Sequence, residues 1–236
     1  MYLEVSFKKI INLKKHFPKL NNKGGLLIPT SFKIKDFEFM KYRHLSVNWE
    51  IKPVTANDLP EEFSPKAVKL VDMFRRKTIN LNYEVMLIFD YSTGELIYCF
   101  INDEKFGKVE GDVDETLLEG KNISIIHNHP KGFYSPPSAR NFQILSLDFQ
   151  DYELVSSWDS LWILESKQEL SENQIAEIKE EIQILYQSST EYAYQKYSNT
   201  IIGFKKASNL YGDLLLKYIN NLDLNINLIR RDLNDN

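Results

Sequence analysis

Cysteine is almost missing from this chain, since Cys99 is the only one among 236 residues. A disulfide within the chain is therefore impossible, and a zinc site built from cysteines is excluded. The chain also lacks a run of about 18 apolar residues and a signal-peptide pattern. These absences predict a cytoplasmic protein without a membrane partner.

A strong positive charge is missing as well, because the formal net charge is -4 and the pI is about 5.7. A local basic run extends from Lys8 to Lys23. If residues 8–15 are helical, most of the run is expected to form a solvated face, and a phosphate-binding patch is the alternative. No overall field attracts nucleic acid, so a nucleic-acid partner is not expected. Aromatic residues make up 13% of the chain, which favours a packed core over disorder.

Composition and punctuation divide the chain into three predicted parts. Residues 1–60 read as a mixed α/β segment of unknown role, and 61–168 as a domain in which strands alternate with helices. From Ser171 onward, Ile and Leu recur at helical spacing among Glu and Lys, which predicts a helical C-terminal appendage over 169–236. Within it, Gly203 and Gly212 weaken a second predicted helix, and the residues from Arg230 onward are expected to fray.

The middle part has the most legible pattern. A helix begins at Ser64-Pro65, and a hairpin follows in which a Ser-Thr-Gly turn joins two apolar strands. The pattern then predicts a short helix over Asp112–Glu119, a strand over Asn122–Ile126, a helix from Ser138 to Leu147, and strands over Tyr152–Ser157 and Leu161–Glu165. The predicted fold class is therefore α/β, with a mixed sheet flanked by helices.

Two of the four histidines lie one residue apart at the end of a predicted strand. Side chains at positions i and i+2 of a strand point to the same side, so His127 and His129 are expected to project together. Such a pair suits two imidazoles that bind one metal ion, although a bare His-x-His can equally cap a strand end with hydrogen bonds. Pro130 ends the strand and places the pair beside a loop.

The flanking residues make this region similar to the JAB/MPN (JAMM) metallohydrolases of bacterial or phage type. The run His127-Asn128-His129-Pro130 is followed by a glycine-containing loop and by a helix that opens with Ser138-Ala139-Arg140-Asn141. The resemblance covers about residues 66–166, and it implies a cytidine-deaminase-like core. It also implies Zn²⁺ bound by His127 and His129, an oxyanion-stabilising Ser138, and Glu84 as general acid/base.

The sequence departs from the family pattern at the third metal ligand. Asn141 stands where the family has Asp, and the loop after His129 is one residue longer. A neutral amide oxygen binds zinc much more weakly than a carboxylate does. Three outcomes stay open: Asn141 coordinates zinc nevertheless, Asp148 or Asp151 replaces it, or the site has lost its metal. Asp148 would lie roughly 10 Å further along a helix that contains Asn141, too far for a direct exchange.

Two functions follow from the resemblance. The first is a zinc-dependent peptidase or isopeptidase that acts on a peptide or a ubiquitin-like conjugate through a metal-activated water. The alternative is a degenerate JAB/MPN domain that serves as a protein-interaction scaffold, which the Asn141 replacement favours. A link to nucleic acid is a weaker third reading, because the motif region has no basic stripe.

Overall fold

The computed structural model describes residues 46–101, 113–130, 136–145, 150–167, 170–198 and 200–233. The basic run from Lys8 to Lys23, most of the predicted segment 1–60, and Asp148 lie outside these ranges. Among the helices that are described, none is both long and apolar enough to cross a membrane.

One mixed sheet organises the described part of the chain. Its strands are β1 (Val85–Asp90), β2 (Glu95–Ile101), β3 (Ile123–Asn128), β4 (Tyr152–Ser156), β5 (Ser160–Ser166) and β6 (Ile226–Asp232). They are ordered β2-β1-β3-β4-β5-β6, and only β3 and β4 run parallel. The mixed α/β class predicted from the sequence is confirmed.

Helices cover both faces of this sheet. They are α1 (Pro65–Thr78), α2 (Ala139–Leu145), α3 (Glu172–Tyr197) and α4 (Ile201–Ile219). Side chains alternate between the faces along each strand. Leu154 of β4 joins the core under α1 with Phe74, whereas Val155 joins the core under α2, α3 and α4 with Phe142 and Leu215. The sheet therefore separates the core under α1 from the core under α2, α3 and α4. A third buried cluster, which includes Ile88, Phe100 and Ile125, lies on β1, β2 and β3.

The helix starts follow from their capping residues, as the sequence predicts. Ser64 precedes α1, and its hydroxyl accepts the backbone N–H of Ala67 at 3.2 Å. Ser171 and Gln174 form a reciprocal capping box at the start of α3. These contacts satisfy N–H groups that have no partner within a helix.

Two local predictions are wrong. The end of the chain does not fray from Arg230, because Ile226–Asp232 forms strand β6 and pairs antiparallel with β5. In place of a helix over Asp112–Glu119, the described residues contain a 3₁₀ turn at Glu115–Leu117. Gly120 closes that turn with a φ of 69°, a conformation that glycine adopts without strain.

The C-terminal segment shares its core with the sheet. Helix α4 buries Tyr211 and Leu215 against the same cluster as Trp162 of β5, and β6 forms one edge of the sheet. The division of the chain at residues 61 and 169 stays a prediction.

Candidate functional site

The histidine pair lies at the carboxyl end of β3, in the middle of the sheet. His127 is within the strand and 7% exposed. His129 follows the strand, is half-buried, and donates its backbone N–H to the Ser156 carbonyl at 2.9 Å. The two imidazole ring centroids are 5.2 Å apart. The predicted projection of both side chains to one side therefore agrees with the structure.

Asn128, between the two histidines, fixes the start of β1 beside them. Its side-chain oxygen accepts the Val85 N–H at 2.7 Å, and its nitrogen donates to the Tyr83 carbonyl at 3.0 Å. The pairing of β1 with β3 ends at Met86, opposite His127, and Glu84 lies just before the first residue of β1. The charge of Glu84 is close enough to His127 to contribute to the raised pKa of its imidazole, which places Glu84 near the histidines.

Glu153, a buried carboxylate that was not identified from the sequence, contacts the His127 ring from the neighbouring strand β4. Glu153 of β4 places Oε1 2.9 Å from His127 Nδ1, and its side chain is only 1% exposed. Gln150 donates its Nε2–H to the other carboxylate oxygen at 2.7 Å. Glu153 is the one carboxylate in the fully buried strand Tyr152–Ser156, and that isolated charge is the signal that could have found it.

The charge of Glu153 also changes how readily His127 takes up a proton. Burial alone lowers the pKa of His127, but the hydrogen bond and the charge of Glu153, with the charge of Glu84, outweigh burial and raise the pKa. When the single proton of the neutral imidazole is on Nδ1, that nitrogen donates to the Glu153 carboxylate. Nε2 then carries the lone pair and can accept a hydrogen bond.

Asn141 closes the network on the other side of His127. Its Oδ1 accepts the backbone N–H of Ser138 at 2.7 Å and the Ser138 hydroxyl at 2.9 Å. Because a backbone N–H can only donate, this contact identifies the oxygen end of the carboxamide. The Nδ2 end lies 3.3 Å from His127 Nε2 and 3.3 Å from Glu153 Oε1. The carboxamide therefore turns a donor toward the histidine.

The residues predicted for the site thus come to one place. We call Glu84, His127, His129, Ser138 and Asn141 the histidine edge. Asp151, the proposed replacement ligand, is not part of it. Its backbone N–H bonds to the Ile123 carbonyl at the amino end of β4, and its carboxylate accepts the Tyr91 hydroxyl at 3.1 Å. Because β3 and β4 are parallel, Asp151 and His127 lie at opposite ends of the sheet.

The histidine edge does not fit a three-ligand zinc centre as its side chains lie. A catalytic zinc ion takes three protein ligands and a water. The imidazoles of His127 and His129 supply two donor groups, but Asn141 presents an amide nitrogen, whose lone pair is delocalised into the carbonyl and does not bind a metal ion. Within the described ranges, no group of three or more His, Cys, Asp or Glu side chains is arranged to hold a metal ion.

Comparison of the chain with protein families, with curated proteins and with solved structures finds no match. The geometry of the site is therefore the basis for any functional proposal.

The raised pKa of His127 predicts a pH-dependent stability in a chelating buffer. A raised folded-state pKa stabilises the protein below the unfolded pKa of about 6.5, and this stabilisation is lost as pH rises through the folded pKa. In Glu153→Gln the sign should reverse, because burial then dominates and stability falls as pH drops. Urea unfolding midpoints between pH 5 and 9 measure both slopes, and parallel slopes in the two proteins would contradict the assignment.

Proposed function

We propose that this chain is a JAB/MPN-like domain that binds a protein partner at the histidine edge and does not hydrolyse it. The orientation of the Asn141 carboxamide carries the proposal. Its oxygen is taken by Ser138, and its nitrogen points to His127 and Glu153. A hydrogen-bonded network thus lies beside His127, where the family has a third metal ligand.

The outer part of the histidine edge supports binding of a polar segment. Glu84, His129 and Arg140 are half-buried and Ser138 is exposed, so groups of both charge signs and a hydroxyl reach the surface together. Such a set suits the backbone and the chain end of an extended peptide, which offers donors, acceptors and charge. The resemblance to JAB/MPN domains points to a ubiquitin-like tail as the partner.

A zinc-dependent peptidase or isopeptidase is the second candidate, and the Glu153–His127 contact favours it. In zinc sites a ligand histidine usually donates its other ring N–H to a carboxylate, which orients the ring for the metal. The 2.9 Å contact at Nδ1 has this form, and the charge of Glu84 acts on the same imidazole. This candidate requires Asn141 to turn or another group to act as third ligand.

Metal analysis of the chain purified without chelator separates the two candidates. We expect well under one zinc ion per chain, and we expect the same residual content in His127→Ala and His129→Ala. Elemental analysis by mass spectrometry gives the ratio directly. One zinc per chain in the parent protein, lost in both variants, would overturn the binding-module proposal in favour of the peptidase.

A further inference from the structure

Helix α2, which carries Asn141, is preceded by two residues that have no backbone N–H to donate. Pro136 and Pro137 precede Ser138, and proline has no backbone N–H. The two prolines are nevertheless buried, so their position is determined by what packs on them and by what donates to their carbonyls. The start of α2 is therefore set from outside the motif.

The C-terminal helix α4 supplies both kinds of contact. The Tyr211 hydroxyl, on a side chain that is 4% exposed, donates to the Pro137 carbonyl at 2.8 Å. The next residue, Gly212, faces the Pro136 ring. A Cβ at position 212 would lie 3.1 Å from Pro136 Cγ and 2.8 Å from Trp162 Cη2, so a larger residue would force Trp162 or Pro136 to move.

A chain of hydrogen bonds connects the residue after Pro137 with His127. Ser138 follows Pro137, and its N–H and hydroxyl hold the oxygen of Asn141. The nitrogen of the same carboxamide then faces His127 at 3.3 Å. A shift of Pro137 would therefore change the donor that His127 Nε2 meets.

We infer that Tyr211 is a positioning residue of the histidine edge, which sets the start of α2 and through it the direction of the Asn141 carboxamide. The inference rests on the proposed role of the histidine edge. It also extends the site to a helix that lies outside the motif region, because Tyr211 follows the last residue of the family resemblance by about 45 positions. Gly212 has a matching role, since it allows α4 to approach the Pro136 ring.

The histidine ring nitrogens provide a readout that a merely structural role would not move. The full chain is labelled with ¹⁵N-histidine, and the long-range ¹H–¹⁵N signals of His127 are assigned by their loss in His127→Ala. Tyr211→Phe removes only the hydroxyl, and Tyr98→Phe is the matched control. Tyr98 is also buried, and its hydroxyl accepts one backbone N–H, that of Asp114, at 3.0 Å.

We expect both variants to lower the thermal midpoint, and we expect only Tyr211→Phe to shift the His127 Nε2 resonance. Gly212→Ala, which pushes on Pro136 from the same helix, should shift it further. An unmoved Nε2 resonance in Tyr211→Phe, or an equal shift in Tyr98→Phe, overturns the inference. The spectra are recorded in chelator, so the Nε2 resonance reports on the contact with Asn141, while the zinc content that tests the proposed function is measured separately.

Discussion

Asn141→Asp is expected to destabilise the metal-free protein by roughly 2–4 kcal/mol, and zinc is expected to restore the loss. An aspartate keeps the oxygen that accepts from Ser138, but it replaces the donor nitrogen by a second oxygen. That oxygen would lie about where Nδ2 now lies, 3.3 Å from Glu153 Oε1. Two buried carboxylates at this separation repel each other when both are charged, so one of them must bind a proton in the folded state. Binding that proton at neutral pH lowers the stability of the fold.

Zinc reverses the balance, because two histidines and an aspartate make the three-ligand set of a catalytic zinc site. A metal that binds only the folded state adds about 2.7 kcal/mol when its concentration is 100 times Kd. Urea unfolding of the variant in chelator and in excess zinc measures the loss and the recovery.

Asn128→Asp is the matched control for this experiment. Asn128 is another buried carboxamide at the same strand end, and its nitrogen donates to the Tyr83 carbonyl. An aspartate there also loses a donor, but it faces the backbone of β1, so zinc should not recover the loss. Equal recovery in both variants, or an Asn141→Asp protein as stable as its parent in chelator, contradicts the placement of Asn141.

The parts of the fold that follow from local patterns were predictable from the sequence. The hairpin of β1 and β2 is marked by two apolar runs around a Ser-Thr-Gly turn, and α3 begins at its predicted cap Ser171. Strand β6 was not predictable in this way. Its short sequence gains order by pairing with β5, some 60 residues earlier, and strand propensity depends on such neighbours more than on local sequence. The specific JAB/MPN assignment stays a prediction.

The site residues also separate into those that local sequence predicts and those that depend on distant parts of the chain. The i, i+2 spacing of His127 and His129 and the cap position of Ser138 are local features, and the structure brings these residues together. Glu153 is a different case, because it reaches His127 only through the parallel pairing of β3 with β4. The contribution of Tyr211 depends on the packing of α4 against Pro136 and Pro137, which no spacing in the sequence reveals.

Glu153→Ala is expected to cost about 3 kcal/mol at pH 7, near the upper end of the range for leaving a buried donor without its acceptor. The carboxylate receives contacts from His127 Nδ1, Gln150 Nε2 and Asn141 Nδ2. The substitution removes the acceptor of His127 Nδ1 and one of the two contacts of each amide nitrogen. Chemical unfolding at constant pH gives the difference, and Glu165→Ala is the control.

Glu165 accepts the Tyr152 hydroxyl at 3.2 Å and contacts Lys167, but it lies nearer the surface, so its removal should cost under about 1 kcal/mol.

Glu153→Gln tests whether the buried carboxylate stabilises the fold or orients a metal ligand. If the network only stabilises the fold, the glutamine variant loses about 1–3 kcal/mol of stability, because an amide cannot accept from every donor around it. If His127 is a zinc ligand, the same variant instead loses about 10- to 100-fold in zinc affinity, since the orientation of the ring is weakened. A variant that changes neither stability nor metal affinity would contradict both readings of Glu153.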